Sequence, residues 1–241
     1  MNIDELYEEL KAALQTVIVN NGLSGEPLTV RCRALSAEEA IGVPREKDYP
    51  IIKGKEVMVE AVFRDGRGQA FSDDFENATY TVENMLDLDT DTTRKRASFI
   101  SGLNAVYRHL GLCGKTVHCR DEEPKTCAAD LIHLFSPSQK VLLIGFQPRF
   151  LEMLAVNSSL RVIDLDAGNI GKRVSGIVVE PPDMTMDAIR WCDAVFATGS
   201  TLVNGTIGAF LNCGKPATFY GVTISAPAKI LNLNSYCRYG H

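Results

Sequence analysis

The stretch KVLLIGFQPRFLEMLAVNSSLRVIDLD, Lys140–Asp166, decides the fold. Two near-continuous apolar runs, Lys140–Phe146 and Leu160–Leu165, flank a helical segment at Arg149–Val156. A run without polar alternation marks a strand covered on both faces, and strand, helix and strand in this order imply a parallel crossover. The same grammar continues downstream. Strands are expected at Gly176–Val179, Ala194–Thr198 and Ala217–Tyr220, with helices at Thr185–Trp191 and Leu202–Asn212. Residues 139–241 therefore read as a doubly wound parallel α/β sheet.

Upstream the pattern changes. Ile3, Leu6, Leu10, Leu14, Val17 and Ile18 recur at helical spacing and stop at Asn20-Asn21-Gly22. Thr29–Leu35 reads as a strand, Ser36 with Glu39 as the capping box of a short helix ended by Pro44, and Val57–Arg64 as a second strand. Asp65-Gly66-Arg67-Gly68 is read as the turn into a third, Gln69–Ser72, which completes a small antiparallel meander. Asp91 or Thr92 can cap a long helix reaching Leu110, with a buried stripe of Ile100, Leu103, Asn104, Tyr107 and Leu110 and with Gly111 as its stop. The expected division is a smaller α+β domain at 1–115, a polar connection at 116–138 and the α/β domain at 139–241.

Composition bounds the function. The 241 residues are 45% apolar and 23% charged, an ordinary globular balance with room for two cores. A net charge of −5 argues against a nucleic-acid partner, whose phosphates need clustered Lys and Arg. The one basic cluster, Arg94–Arg96, is read as a solvated face. The acidic, amphipathic N-terminus is unlike a secretory signal, and no apolar stretch approaches a membrane span, so the expected location is the cytoplasm. Seven scattered cysteines then read as free thiols, mostly small core hydrophobes.

In an open parallel sheet, ligands bind beyond the carboxyl ends of the strands. Gly145-Phe146-Gln147-Pro148 follows the first strand and lacks the glycines of a dinucleotide-binding turn, which disfavours a standard NAD site. Asp164 ends the next strand, where an acid can hold a ribose-like hydroxyl, and Asp166 follows. At TGSTLVNGT, Thr198–Thr206, Gly199 turns the chain and Ser200 or Thr201 is expected to cap a helix whose free amides cradle an anion or a carbonyl oxygen, with Asn204 and Thr206 extending the polar surface. No histidine neighbours Ser200 and no G-x-S-x-G elbow is present, so a serine hydrolase is disfavoured. In the connection, His118, Cys119 and Cys127 are candidate ligands for a divalent metal ion, although C-x7-C is not a zinc-knuckle spacing. Asn104, on an apolar stripe, either bonds to neighbouring backbone or faces a ligand. Cys237 and His241 reach a site only if the C-terminus folds back.

Several of these segments carry a family resemblance. GQAFSDD (68–74), SGLNAVYRHLGL (101–112), HCRDEEPKTCAADL (118–131), VLLIGF (141–146) and TGSTLVNGTIGAFL (198–211) together resemble the putative heavy-metal-chelation domain family. The resemblance implies an enolase-N-terminal-like domain in front of a Rossmann-like domain, with a site built from both. It further implies heavy-metal chelation, or condensation or hydrolysis in the making of flavin-, pterin- or siderophore-like chelators. The expected ligand-binding residues are Asn104, Gly145, Phe146, Asp164, Gly199, Ser200, Thr201, Asn204 and Thr206. The expected partners are a small molecule or a metal; direct metal delivery through His118, Cys119 and Cys127, and a non-catalytic anion or nucleotide sensor, are the competing readings. Oligomeric state is left open.

Overall fold

The computed structural model describes residues 2–25, 29–53 and 56–241. Two sheets organise them. Strands β1 (Thr29–Leu35), β2 (Val57–Phe63), β3 (Gly66–Ser72) and β4 (Ala78–Thr81) form an antiparallel sheet in the order β3-β2-β1-β4. The second sheet contains β5 (Lys140–Ile144), β6 (Ser159–Ile163), β7 (Arg173–Val174), β8 (Ile177–Glu180), β9 (Ala194–Thr198), β10 (Ala217–Tyr220) and β11 (Asn234–Tyr236). Its order is β11-β10-β9-β5-β6-β8-β7, parallel except where β7 meets β8. Counted along the chain, its six parallel strands run third, second, first, fourth, fifth, sixth from β8 to β11, which is the doubly wound order.

Successive side chains of these strands point to opposite faces, and the burial follows that alternation. Leu142, Ile144, Ile163, Val195, Ala197 and Phe219 join one core, which continues without a break into Val59, Ala61, Phe63 and Ala70 of the antiparallel sheet. Val141, Leu143, Val162, Phe196 and Tyr220 face the other way and are covered by α4 (Glu123–Ala129) and α5 (Pro148–Asn157). The long N-terminal helix α1 (Ile3–Asn20) buries its apolar stripe in the shared core, as its spacing predicts, and Tyr7 packs on Phe99. The capping box opening α2 (Ala37–Ile41) is present, with Ser36 and Glu39 each accepting the other's backbone N–H.

Helix α3 (Thr93–His109) departs from the expected one-sided stripe: every residue from Ala97 to Tyr107 is buried. It is wedged between the antiparallel sheet and the short C-terminal helices α7 (Ser200–Val203), α8 (Gly208–Leu211) and α9 (Ser225–Ile230), so only its two ends, with Arg94 and Arg108 exposed, meet water. The small helix α6 (Thr185–Trp191) contributes Ala188 and Ile189 to the same core. The neighbouring basic cluster is a solvated face only in part, with Arg94 exposed and Lys95 and Arg96 half-buried. Arg94 pairs with Asp74, Lys95 with Glu76, and the Arg96 guanidinium donates to the carbonyls of Val203, Thr90 and Asp91.

Close contact with α3 explains the glycines that the sequence presents as a turn. The turn itself is at Arg64-Asp65, where Arg64 adopts φ 53°, and β3 begins already at Gly66. A Cβ at Gly66 would lie 2.3 Å from the Ala105 carbonyl oxygen, and one at Gly68 would lie 2.3 Å from the Ala105 nitrogen. Gly66, Gly68 and Ala70 thus present a face of minimal side chains on which the helix backbone rests. A second correction concerns the helix expected at 202–212. Asn204-Gly205 ends α7: Gly205 takes φ 83°, and the amides of Thr206 and Ile207 both return to the Thr201 carbonyl. Strands β4, β7 and β11 are short edge elements that the sequence pattern does not announce. Among the described residues no helix is long and apolar enough to cross a membrane.

Replacing Gly68 by Ala forces a methyl group into helix backbone that cannot yield as a flexible side chain would. The expected cost is about 3 kcal/mol, an overpacking penalty, lowering the melting temperature by roughly 6–12 °C for a chain of this size. Calorimetry of Gly68→Ala checks it; an unchanged melting temperature would refute the close approach of β3 to α3.

Candidate functional site

The chain leaves β5 for β6 on one side and later returns to β9 on the other, so the carboxyl ends of β5 and β9 diverge. At that switch point lies a half-open cavity of about 650 Å³. One wall consists of the loops after β5, β6, β9 and β10: Gly145–Gln147, Asp164–Asp166, Thr198 with Ser200 and Thr201, and Gly221 with Thr223. The antiparallel unit supplies Glu56 and Phe71–Asp73, and the segment after α2 adds Pro44 and Tyr49–Ile51. His118, Cys119 and Cys127 of the connection, with Tyr236 and Cys237 of the tail, close the remaining side. The C-terminus does fold back: β11 pairs with β10, and His241 exchanges backbone hydrogen bonds with Val117, although His241 itself stays outside the cavity.

Asp164 is fixed by its own loop. One carboxylate oxygen accepts the Phe146 N–H at 2.6 Å, and the other accepts the Asp166 N–H at 2.7 Å and the Asn169 amide at 3.4 Å. These bonds use the amides that a dinucleotide site would turn toward a pyrophosphate. The Gly145 N–H bonds to the Ile163 carbonyl, and the Phe150 N–H to the Gln147 side chain that caps α5. Gly145 itself is pressed between Thr198 and Tyr220, whose hydroxyl donates to the carbonyls of Ile144 and Gly145.

The loop after β9 differs from its expectation. Gly199, not Ser200 or Thr201, is the N-cap of α7, and its N–H is taken by the Tyr220 carbonyl at 2.8 Å. The Ser200 N–H meets the Thr198 hydroxyl at 3.3 Å, and Thr201 is buried with its hydroxyl on the Thr198 carbonyl. With four residues in α7, and with the amides of Gly199, Ser200 and Leu202 bonded within the protein, the segment lacks the row of free amides that the sequence predicts. What it gives the cavity is a row of side chains, the hydroxyls of Thr198 and Ser200 with Asn204 and Thr206 beyond them. Asn204 spends its oxygen on the Thr206 N–H and hydroxyl. Gly199 does not line the cavity; a Cβ there would lie 2.8 Å from the Ile224 nitrogen.

Asn104 also lies outside the cavity, fully buried. Its amide nitrogen donates toward the carbonyls of Gln69, Val222 and Thr223 at 3.1–3.3 Å, and its oxygen accepts the Ala226 N–H at 2.9 Å. It therefore positions the turn that carries Thr223 instead of meeting a ligand. On the opposite side, His118 has Nδ1 against the Cys119 carbonyl and its ring edge-on to Phe71. Burial holds its imidazole below the usual histidine range, and burial raises the thiols of Cys119 and Cys127 and pushes Cys237 up to about 11. Among the described residues no group of three or more His, Cys, Asp or Glu is placed to hold a metal ion, and His118, Cys119 and Cys127 line the cavity.

The sequence does not single out Glu56, six residues beyond Pro50 and just ahead of β2. Its side chain is exposed toward the cavity. Desolvation, then repulsion from Asp164, Asp166 and Asp73, raises its carboxyl to about 7. The neutral form is thereby favoured in the fold, so this group's contribution to stability is greatest below the ordinary carboxylate range and is lost as pH rises through about 7. Glu56→Gln removes the charge at nearly constant shape. It should raise the melting temperature by a few degrees at pH 8 and leave it unchanged at pH 5, as read by scanning calorimetry; an equal effect at both pH values would contradict the assignment.

Comparison with known proteins follows the same outline. A crystal structure of a protein of unknown function from the DUF364 family of Pyrococcus horikoshii superposes with a TM-score of 0.56 at 13% identity, covering 90% of this chain and 79% of that one. A second DUF364 protein of unknown function, from Desulfitobacterium hafniense DCB-2, gives 0.49 at 14% identity over 73% of this chain and 72% of that one. No curated protein matches the chain. The family profile described as "putative heavy-metal chelation" matches residues 128–228, which span β5–β10 and most of the cavity's parallel-sheet wall. The resemblance carried by VLLIGF and TGSTLVNGTIGAFL thus holds, and residues 128–228 are the part of this chain that matches the putative heavy-metal-chelation family, DUF364.

Proposed function

We propose that this protein binds or processes a small pterin-, flavin- or siderophore-like molecule in the cavity between its two sheets. The carrying observation is the cavity itself: about 650 Å³ at the switch point of a doubly wound sheet, with a largely apolar lining and a few convergent polar groups. Its size suits a bicyclic heteroaromatic molecule, and Phe71, Phe146, Phe150 and Tyr220 are among its lining residues. The hydroxyls of Thr198 and Ser200 can pair with the carbonyl or hydroxyl groups of such a molecule. The antiparallel unit, read as enolase-N-terminal-like, contributes Phe71–Asp73 and Glu56, so the ligand touches both halves of the chain.

The family description gives a second reading, a direct part in handling heavy metals. With no three-ligand group among the described residues, the metal is best accommodated as part of a bound chelator instead of by protein ligands alone. Calorimetric titration with pterin, riboflavin and a catechol chelator, each with and without Zn²⁺, tests both readings. Saturable binding of at least one organic molecule is expected. Metal content of untagged protein should be the same in wild type, Cys119→Ser and Cys127→Ser. Absence of binding by every compound would overturn the first reading, and loss of a stoichiometric metal in the cysteine variants would establish direct ligation in its place.

A further inference from the structure

Resting on that reading, the charge distribution narrows the ligand's chemistry. Among the described residues that line the cavity there are four carboxylates, Glu56, Asp73, Asp164 and Asp166, and no Lys or Arg. Asp164 and Asp166 are engaged by loop amides. Glu56 and Asp73 accept no hydrogen bond from any described residue, and Glu56 is exposed toward the open space of the cavity. A carboxylate that faces the cavity with no donor from the described residues keeps two adjacent acceptor sites for a ligand. A ligand that fits them supplies donors.

We infer that the ligand presents a planar N–C–N donor edge, as in an amidinium, a guanidinium or a 2-amino-4-oxopyrimidine ring, and that Glu56 receives it. Such an edge fills both oxygens of one carboxylate with parallel N–H bonds. The apolar walls suit the rest of the ring, and the aromatic faces nearby favour a flat, electron-poor or cationic group. The same charge pattern excludes anionic ligands. A phosphate, a nucleotide or a polycarboxylate chelator would enter against four carboxylates with no Lys or Arg among the described lining residues to receive it. Among the described residues, the groups facing Glu56 are acidic or neutral: Asp73 after β3, Asp164 and Asp166 after β6, and the Tyr220 hydroxyl at the end of β10. Lys172 stands over the Phe146 ring, donating to the Asn169 side-chain oxygen Oδ1, and does not line the cavity. Because Glu56 holds its proton to about pH 7, a cationic ligand displaces that proton, and its binding tightens as pH rises through that range.

Isothermal titration with benzamidinium, pterin, benzoate and inorganic phosphate at pH 5.5 and pH 8 tests the inference. Benzamidinium is charged at both values, so its affinity should rise roughly tenfold between them, and pterin should compete with it. Glu56→Gln should weaken benzamidinium roughly tenfold at pH 8 and flatten its pH dependence, while Asp73→Asn should weaken it less. Benzoate or phosphate binding more tightly than benzamidinium, or Glu56→Gln binding benzamidinium as wild type does, would sink the inference. Either result leaves the cavity reading standing if another probe, such as riboflavin, still binds there. Failure of every probe and of riboflavin would sink both.

Discussion

The buried amide of Asn104 joins the two halves of this molecule. Strand β3 lies at the edge of the antiparallel sheet, and an edge strand leaves a row of unpaired donors and acceptors. Here the edge is docked. The Gln69 N–H reaches the Thr116 carbonyl, the Arg67 carbonyl takes the Thr116 hydroxyl, the Gln69 carbonyl takes the Asn104 amide, and the Phe71 N–H takes the Thr223 hydroxyl. Asn104 bridges from this edge to Val222, Thr223 and Ala226, so a single side chain joins β3, α3 and the turn after β10. Each buried group left without its partner costs about 1–3 kcal/mol, so the alternatives to this docking are all expensive.

That docking also sets the cavity. Thr223 and Phe71 are adjacent because the Phe71 amide holds the Thr223 hydroxyl, and both line the space. His118 is held against β3 by the Gln69 side chain, whose nitrogen is in turn anchored on Glu60. The wall from the antiparallel unit is thus fastened to the parallel sheet through backbone, which leaves little freedom for the two sides to drift apart. A shared apolar core beneath them has the same effect.

Much of this was legible in the sequence because period and burial coincide there. Runs such as VLLIGF read as strands covered on both faces, and Thr185–Trp191 falls where its apolar spacing puts it. Reading fails where one residue type serves two physical ends. Gly66 and Gly68 satisfy both a turn and a close approach, and only the position of α3 distinguishes them. Asn204-Gly205 could extend a polar helix surface or cap its end, and the two amides returning to the Thr201 carbonyl choose the cap. Asn104 on an apolar stripe needs partners in any fold, but their location depends on β10 and α9, more than a hundred residues away. Glu56 could not be picked out at all, since a carboxylate is remarkable only once three others are seen around it.

The same reasoning explains why the polar features most visible in the sequence are not the ones with unused bonding capacity. Short-range polar groups tend to satisfy one another: Ser200 with Thr198, Asn204 with Thr206, and Asp164 with the amides of its own loop. A motif dense in hydroxyls and amides therefore closes on itself as the chain turns. Unspent acceptors are left where distant segments meet without providing donors, as Glu56 and Asp73 do across from the loop after β6. In a cavity built between two sheets, the groups that a ligand must answer are fixed by tertiary encounter, and local sequence decides mainly which groups are already answered.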